Sequence, residues 1–389
     1  MATKEKFQGG GKPPHSEVKA PRTEVEIQDD PNEEIALICT VTQRFLESVK
    51  AAGNGTASMR KLVRTLAKED PARYGRLTPQ RAYKCLQEAF AGGYLQFFPP
   101  TNHRLQTWLE TRFPHLDSAT VVDSVEMAHL AGVAARKIQR LILNASRGRK
   151  GDAPESAPPL VVGVGGGHTV HEVMSRLDLS ARDDQGDFVL PRVRLVGLTS
   201  GFDPSDCSTV PNYLLGMMAR RHPGRVEQCG LFAPGLVERS LLKDVRNWPG
   251  TREAVAQKDR LDVIVSGLGS ALDEGSVFWS FVRDRLGAKP QADPRRRAVG
   301  DMLFGCYNAL GEPIDMGLDL GMTAVVDLSE LRRFARSGKT RVVTVVGRRP
   351  GDRRTKAESL LAALRGEFFD TLVTDLATAR EVQELDAAG

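Results

Sequence analysis

Apolar residues recur at helical spacing through the first hundred positions. Between Glu33 and Lys50 the set Ile35, Ile38, Val41, Phe45, Leu46 and Val49 falls on one helix face, and the glycine-rich break at Gly53-Asn54-Gly55 ends it. A second helix is predicted from Ser58 to Lys68. Met59, Leu62, Val63 and Leu66 point inward there, and Arg60, Lys61, Arg64 and Lys68 outward, so its exposed side is basic. After a loop through Asp70-Pro71, Thr78 is placed to cap a third helix whose first position suits Pro79. That helix runs to Ala91, with Ala82, Cys85, Leu86 and Ala89 as its core stripe and Gln80, Arg81, Lys84 and Gln87 facing solvent. Gly92-Gly93 stops it, and Tyr94 to Phe98 reads as a short strand.

Three helices followed by a strand match a winged helix-turn-helix-like module, in which the last helix enters the major groove of DNA. Thr78, Gln80, Arg81 and Lys84 are then the candidate contacts, and the partner is double-stranded operator DNA. The same helices also suit a dimerisation module with a solvated basic face. The connection between the second and third helices is longer than a tight helix-turn-helix prefers.

Farther along, a helix is expected from Arg104 to Phe113, a strand at Ala119 to Val122 and a helix from Glu126 to Asn144. Compact apolar runs then recur at Leu160 to Val164, Val193 to Leu198, Leu261 to Val265, Val342 to Val346 and Thr371 to Thr374. Runs of this kind alternating with helices are buried parallel strands of an α/β domain. Four of them end in polar or glycine-rich turns, which in such sheets gather around one ligand crevice. The organisation expected is a flexible tail over 1–32, a winged helix-turn-helix-like domain over 33–103, a linker helix over 104–118 and an α/β, Rossmann-like domain over 119–389.

Composition narrows this little. With 389 residues and 41% hydrophobic ones, two ordinary cores fit. A net charge of +5 is too small to diagnose a nucleic-acid partner by itself. The five cysteines, Cys39, Cys85, Cys207, Cys229 and Cys306, have no metal-ligand spacing, which points to free thiols and a cytoplasmic setting. No segment is apolar and long enough to serve as a signal peptide or membrane span.

The sharpest chemistry lies in Leu160 to Val170, where an apolar strand runs into Gly165-Gly166-Gly167-His168-Thr169 and then a helix. Backbone N–H groups at a helix mouth can face a phosphate, and Thr169 adds a hydroxyl. A tight strand-to-helix turn without a ligand is the alternative. The dinucleotide fingerprint fails at His168, and no Walker lysine follows. Ser200, Gly201, Gly267 and Gly269 sit on other strand-end turns of the same crevice. Lys356 and Arg296 or Arg297 are candidate phosphate cations, and Asp301 and Asp315 candidate acceptors for sugar hydroxyls. His168 and His171 lack a third ligand for zinc, so neither metal nor cofactor is expected. An anion cradle beside His168 and a carboxylate also suits a sugar-phosphate isomerase, although no acid-base pair is specified by spacing.

The chain resembles the SorC-family, central glycolytic gene regulator-like, transcriptional regulators over Glu33 to Leu385. The likeness is carried by the order of Gly163 to Thr169, Leu231-Phe232-Ala233-Pro234-Gly235-Leu236, Ser266 to Ser270, Ala298-Val299-Gly300-Asp301, Thr355 to Glu358 and Leu372 to Ala379. The resemblance implies a domain related in fold to sugar-phosphate isomerases that binds a phosphorylated sugar without turning it over. It also implies a homodimer or homotetramer whose DNA affinity responds to that ligand, with no catalytic residue. By the same motifs Gly165, Gly167 and Thr169 hold the phosphate and Lys356 contacts the ligand, with Arg296 and Asp315 as further matches. His168 stands where the family has a small hydroxyl residue.

Overall fold

The structure, a computed structural model, describes residues 31–52, 58–91, 99–147, 158–181, 188–201, 209–273, 275–286, 297–315, 319–348 and 355–389. The chain divides into two compact units, Met1–Phe97 and Phe98–Gly389, a few residues ahead of the boundary expected at 103. The strand expected at 94–98 lies outside the described residues.

The first unit contains α1 (Pro31–Ala52), α2 (Met59–Glu69), α3 (Pro71–Tyr74) and α4 (Pro79–Ala91). Its core is the set of apolar positions that periodicity selects: Ile38 and Val41, then Met59, Leu62, Val63 and Leu66, then Ala82, Cys85 and Ala89. Ser58 Oγ accepts the Lys61 N–H at 3.4 Å, and Thr78 Oγ1 accepts the Arg81 N–H at 3.1 Å. Caps of this kind contribute about 1 kcal/mol each. The long connection before α4 is itself built. Asp70 caps α3 by accepting the Arg73 N–H at 3.0 Å, Pro71 opens that helix, and Tyr74 is buried with the core.

In the second unit the chain runs through α5 (His103–Arg112), β1 (Ser118–Val122), α6 (Met127–Arg147), β2 (Leu160–Val164), α7 (His168–Met174), β3 (Val193–Gly197), α8 (Pro211–Arg221) and β4 (Val226–Cys229). It continues through β5 (Leu236–Glu238), α9 (Leu242–Asn247), α10 (Arg252–Val255), β6 (Val263–Ser266), β7 (Gly269–Ser270), α11 (Val277–Leu286), β8 (Gly300–Met302) and β9 (Gly305–Tyr307). The remainder is β10 (Leu320–Met322), α12 (Leu328–Ser337), β11 (Arg341–Val346), α13 (Ala357–Arg365), β12 (Thr371–Asp375) and α14 (Leu376–Ala388).

Seven strands form one parallel sheet in the order β1-β12-β11-β6-β2-β3-β4. Every residue of β2, β6 and β12 is buried, which is why β2 and most of β6 read as apolar runs, while β12 also buries Thr371, Thr374 and Asp375. One core packs α6, α7 and α8 against the sheet, and the other packs α5, α12, α13 and α14 against it. From β2 the chain moves one way to β3 and β4, and from β6 the other way to β11 and β12. The order therefore reverses between β2 and β6, and a crevice opens there beyond the strand ends.

The helix expected as a linker belongs to this second unit. Leu105 and Leu109 of α5 are buried in the same core as Val121 and Phe369, and Gln106 and Glu110 accept the N–H groups of Val121 and Ala119 at 3.1 and 2.8 Å. These side chains satisfy donors on the edge strand β1 that would otherwise be open. Two smaller sheets complete the unit. The antiparallel sheet β7-β8-β9 adjoins a separate cluster of Phe278, Trp279, Val282, Ala298 and Cys306, against which Phe304 packs. Among the described residues no helix is long and apolar enough to cross a membrane.

Candidate functional site

The loops after β2, β3 and β6 converge on a cavity of about 210 Å³ at the point where the strand order reverses. Gly166 to Thr169 form one wall, Thr199 to Gly201 another, and Gly267 to Gly269 with Lys356 a third. The hairpin joining β8 to β9 closes the remaining side with Asp301, Leu303 and Phe304.

Packing accounts for two of the three glycines and backbone conformation for the third. A Cβ on Gly165 would stand 3.0 Å from Leu303 Cδ2, and one on Gly166 would stand 2.9 Å from the Thr209 carbonyl oxygen. Gly167 has φ 106°, a conformation that side chains rarely adopt. The N–H groups of Gly165 and Gly167 already donate to Val265 O and Thr209 O, both at 2.9 Å. Those two N–H groups are therefore engaged, and the first turn of α7, which begins at His168 and receives no side-chain cap from Gly167, is the nearest source of further backbone donors. Thr169, nearly buried, adds its hydroxyl to this wall.

Ser200 is 1% exposed, and its Oγ makes no hydrogen bond among the described residues. Lys356 Nζ reaches the cavity while donating to Leu268 O at 3.2 Å. Asp301 lines the same cavity, and its Oδ1 accepts the Trp279 Nε1–H at 2.9 Å. Burial pushes its carboxyl up to about 6, against the opposing influence of the Trp279 hydrogen bond and the Lys356 charge. Gly269 makes room for that carboxylate, since a Cβ there would stand 2.0 Å from Asp301 Oδ1.

A wider hollow of about 730 Å³ shares His168 and Thr169 but is lined by Glu126 and Glu172 as well as Arg348. Both hollows hold two carboxylates and one cation, and what sets the smaller one apart is that the strand-end loops around Ser200 and Gly267 also line it.

Residues 101–384 match the family model described as "Putative sugar-binding domain". The chain belongs to that family. Family membership covers the second unit, sheet and cavity together. Among solved structures the fold is similar to the full-length sorbitol operon regulator SorC from Klebsiella pneumoniae, with a TM-score of 0.55 and 19% identity over 90% of this chain and 99% of that one. It is also similar to a DeoR family transcriptional regulator from Listeria monocytogenes, with a TM-score of 0.52 and 19% identity over 72% of this chain and 98% of that one. A transcriptional regulator from Streptococcus pneumoniae TIGR4 gives 0.53 and 19% over 73% and 97%.

Of the expected ligand residues, Gly166, Gly167, His168, Thr169, Ser200, Gly201, Gly267, Gly269, Asp301 and Lys356 line the one cavity. Gly165 does not line it, because it is packed under Leu303 and against β6. Asp315 is a correction. It is 58% exposed away from the cavity lining and forms a two-pronged pair with Arg239 at 2.8 and 3.0 Å. Arg296 lies outside the described residues, and Arg297 pairs with Glu358 at 2.5 Å. Phe278, Leu303 and Phe304 in the cavity lining, and Trp279 that holds Asp301, escaped the sequence reading, since nothing local marks apolar residues as neighbours of a polar cavity. Among the described residues no three His, Cys, Asp or Glu side chains gather as metal ligands.

In the first unit Arg81 departs from expectation. Its guanidinium donates to both oxygens of Glu88 at 3.0 and 2.9 Å and to Glu34 on α1 at 2.5 Å. It ties α4 to α1 in place of reaching outward. Lys84 lies 3.3 Å from Glu88 yet stays 65% exposed. The open face of α4 is Gln80, Tyr83, Lys84 and Gln87, at the i, i+3, i+4, i+7 spacing of one helix side. On α2 the exposed Arg60, Lys61, Arg64 and Lys68 fall within an arc of about 100°.

Proposed function

We propose that the protein is a DNA-binding transcriptional regulator whose operator affinity is controlled by a phosphorylated sugar held in the cavity. The observation that carries this reading is the buried Ser200 hydroxyl, which has no hydrogen-bond partner among the described residues, in a cavity that Thr169, Lys356 and the first turn of α7 also line. Leaving a buried hydroxyl unsatisfied costs about 1–3 kcal/mol, and an incoming phosphate or sugar oxygen removes that cost. Lys356 and the α7 N-terminus supply positive potential for the phosphate. Asp301 is placed to accept a sugar hydroxyl across the cavity.

The fold shared with SorC and the other regulators, together with the basic α2 and the open face of α4, supports operator DNA as the second partner. In this reading α4 enters the major groove and the α2 cations meet phosphates. The working form is a homodimer or homotetramer, because paired reading helices fit a two-fold operator.

Asp301 favours one competing reading. A buried carboxyl near pH 6 beside a lysine suits general acid-base work, as in a sugar-phosphate isomerase. One experiment separates the two: operator binding measured with and without a panel of phosphosugars while sugar consumption is followed in the same samples. Ligand-dependent operator affinity without turnover is expected. Turnover with unchanged DNA binding would establish the enzyme instead.

A further inference from the structure

The two-residue turn between β8 and β9 is Leu303-Phe304, with φ of 50° and 66°. A two-residue hairpin with both central residues left-handed is a type I′ turn, for which Asn-Gly is the unstrained choice. A leucine and a phenylalanine carry their Cβ atoms in that conformation against steric preference. Backbone strain of this kind concentrates where side chains are held for a ligand. Both side chains line the cavity. Phe304 packs against Phe278 with ring centroids 5.3 Å apart, and Leu303 lies over Gly165 at the base of the glycine loop.

We propose that the Leu303-Phe304 tip selects the ligand, forming an apolar wall on which the C–H face of a ring-form sugar phosphate rests. The inference rests on the phosphosugar reading above and gives that ligand a shape. Its phosphate lies at α7 and Lys356, a hydroxyl meets Asp301, and one face of the ring covers Leu303 and Phe304. An open-chain polyol phosphate of equal carbon number presents the same phosphate but no flat apolar face, and it binds more weakly.

The test uses the full chain and isothermal calorimetry against hexose 6-phosphates and the matching hexitol 6-phosphate. The double variant Leu303→Asn/Phe304→Gly installs the turn's unstrained residues while removing the wall. Relief of turn strain offsets part of the packing lost at Phe278 and Gly165, so the variant is expected to keep a cooperative thermal transition while its hexose phosphate affinity falls at least about tenfold, equivalent to about 1.4 kcal/mol. Its preference for ring over open-chain ligand is expected to vanish. Phe304→Asn, which tolerates the left-handed backbone, removes the ring alone and is expected to move affinity the same way. Parent binding with unchanged affinity and selectivity in both variants overturns the wall while leaving the phosphosugar reading intact. No phosphate-dependent binding by the parent overturns both.

Discussion

Asp301 shows how much one side chain depends on its surroundings. In the unfolded chain its carboxyl titrates near 3.8, and in the fold near 6. Below 3.8 both states hold the proton and the group leaves stability unchanged. Between the two values only the fold holds it, so stability falls as pH rises, and above 6 the whole loss, about 3 kcal/mol, is present. Asp301→Asn can keep an acceptor for Trp279 and removes the titration. Urea unfolding of parent and variant at about pH 4 and about pH 8 is expected to show the variant gaining stability relative to the parent as pH rises. A constant difference across that range would deny the buried charge. Gly166→Asp is the second change at this scale. It drives a side chain into the Thr209 carbonyl and places negative charge beside the proposed phosphate position, so phosphosugar binding should disappear in calorimetry.

Among the elements, α4 separates roles that its sequence runs together. Arg81, with Glu88 and Glu34, fastens α4 to α1, so Arg81→Ala should lower the unfolding free energy by about 1 kcal/mol. A double-mutant cycle with Glu34→Gln should recover part of that as coupling. Tyr83 is 54% exposed on the proposed reading face, and Tyr83→Ala should relax discrimination between operator fragments with little change in melting temperature. Replacing Arg64 or Lys68 on α2 should weaken all fragments alike and reduce the salt dependence of binding by about one ion each. Titrations at two salt concentrations distinguish these outcomes. If Arg81→Ala changed selectivity without loss of stability, the clamp would be wrong.

For the whole molecule, a sugar can control DNA binding only through unequal affinity for the states that differ in operator affinity. Whatever factor the phosphosugar applies to operator binding must appear, equal in size, when operator is added to a sugar titration. Allosteric couplings are typically about 5- to 150-fold. Measuring both titrations on the same preparation gives two numbers that must agree. Equal operator affinity with and without saturating sugar would leave a sugar binder that does not regulate through DNA.

The chain alone determined what depends on near neighbours. The runs at Leu160 and Val342 become strands because burial on both faces selects a nearly continuous series of apolar residues, broken in the second only by the buried Thr344. Thr78 and Pro79 start α4 because capping acts over three residues. The glycine loop, too, was legible as a strand-to-helix turn. Tertiary structure alone decided which distant groups meet. Arg81 found a carboxylate 47 positions away, Asp315 was drawn to Arg239, and α5 joined the second core when its side chains satisfied the edge of β1. The strain at Leu303-Phe304 and the burial of Asp301 belong to the same class. Periodicity and caps are local fields, whereas partner choice, desolvation and cavity shape arise only when segments far apart in sequence occupy one space.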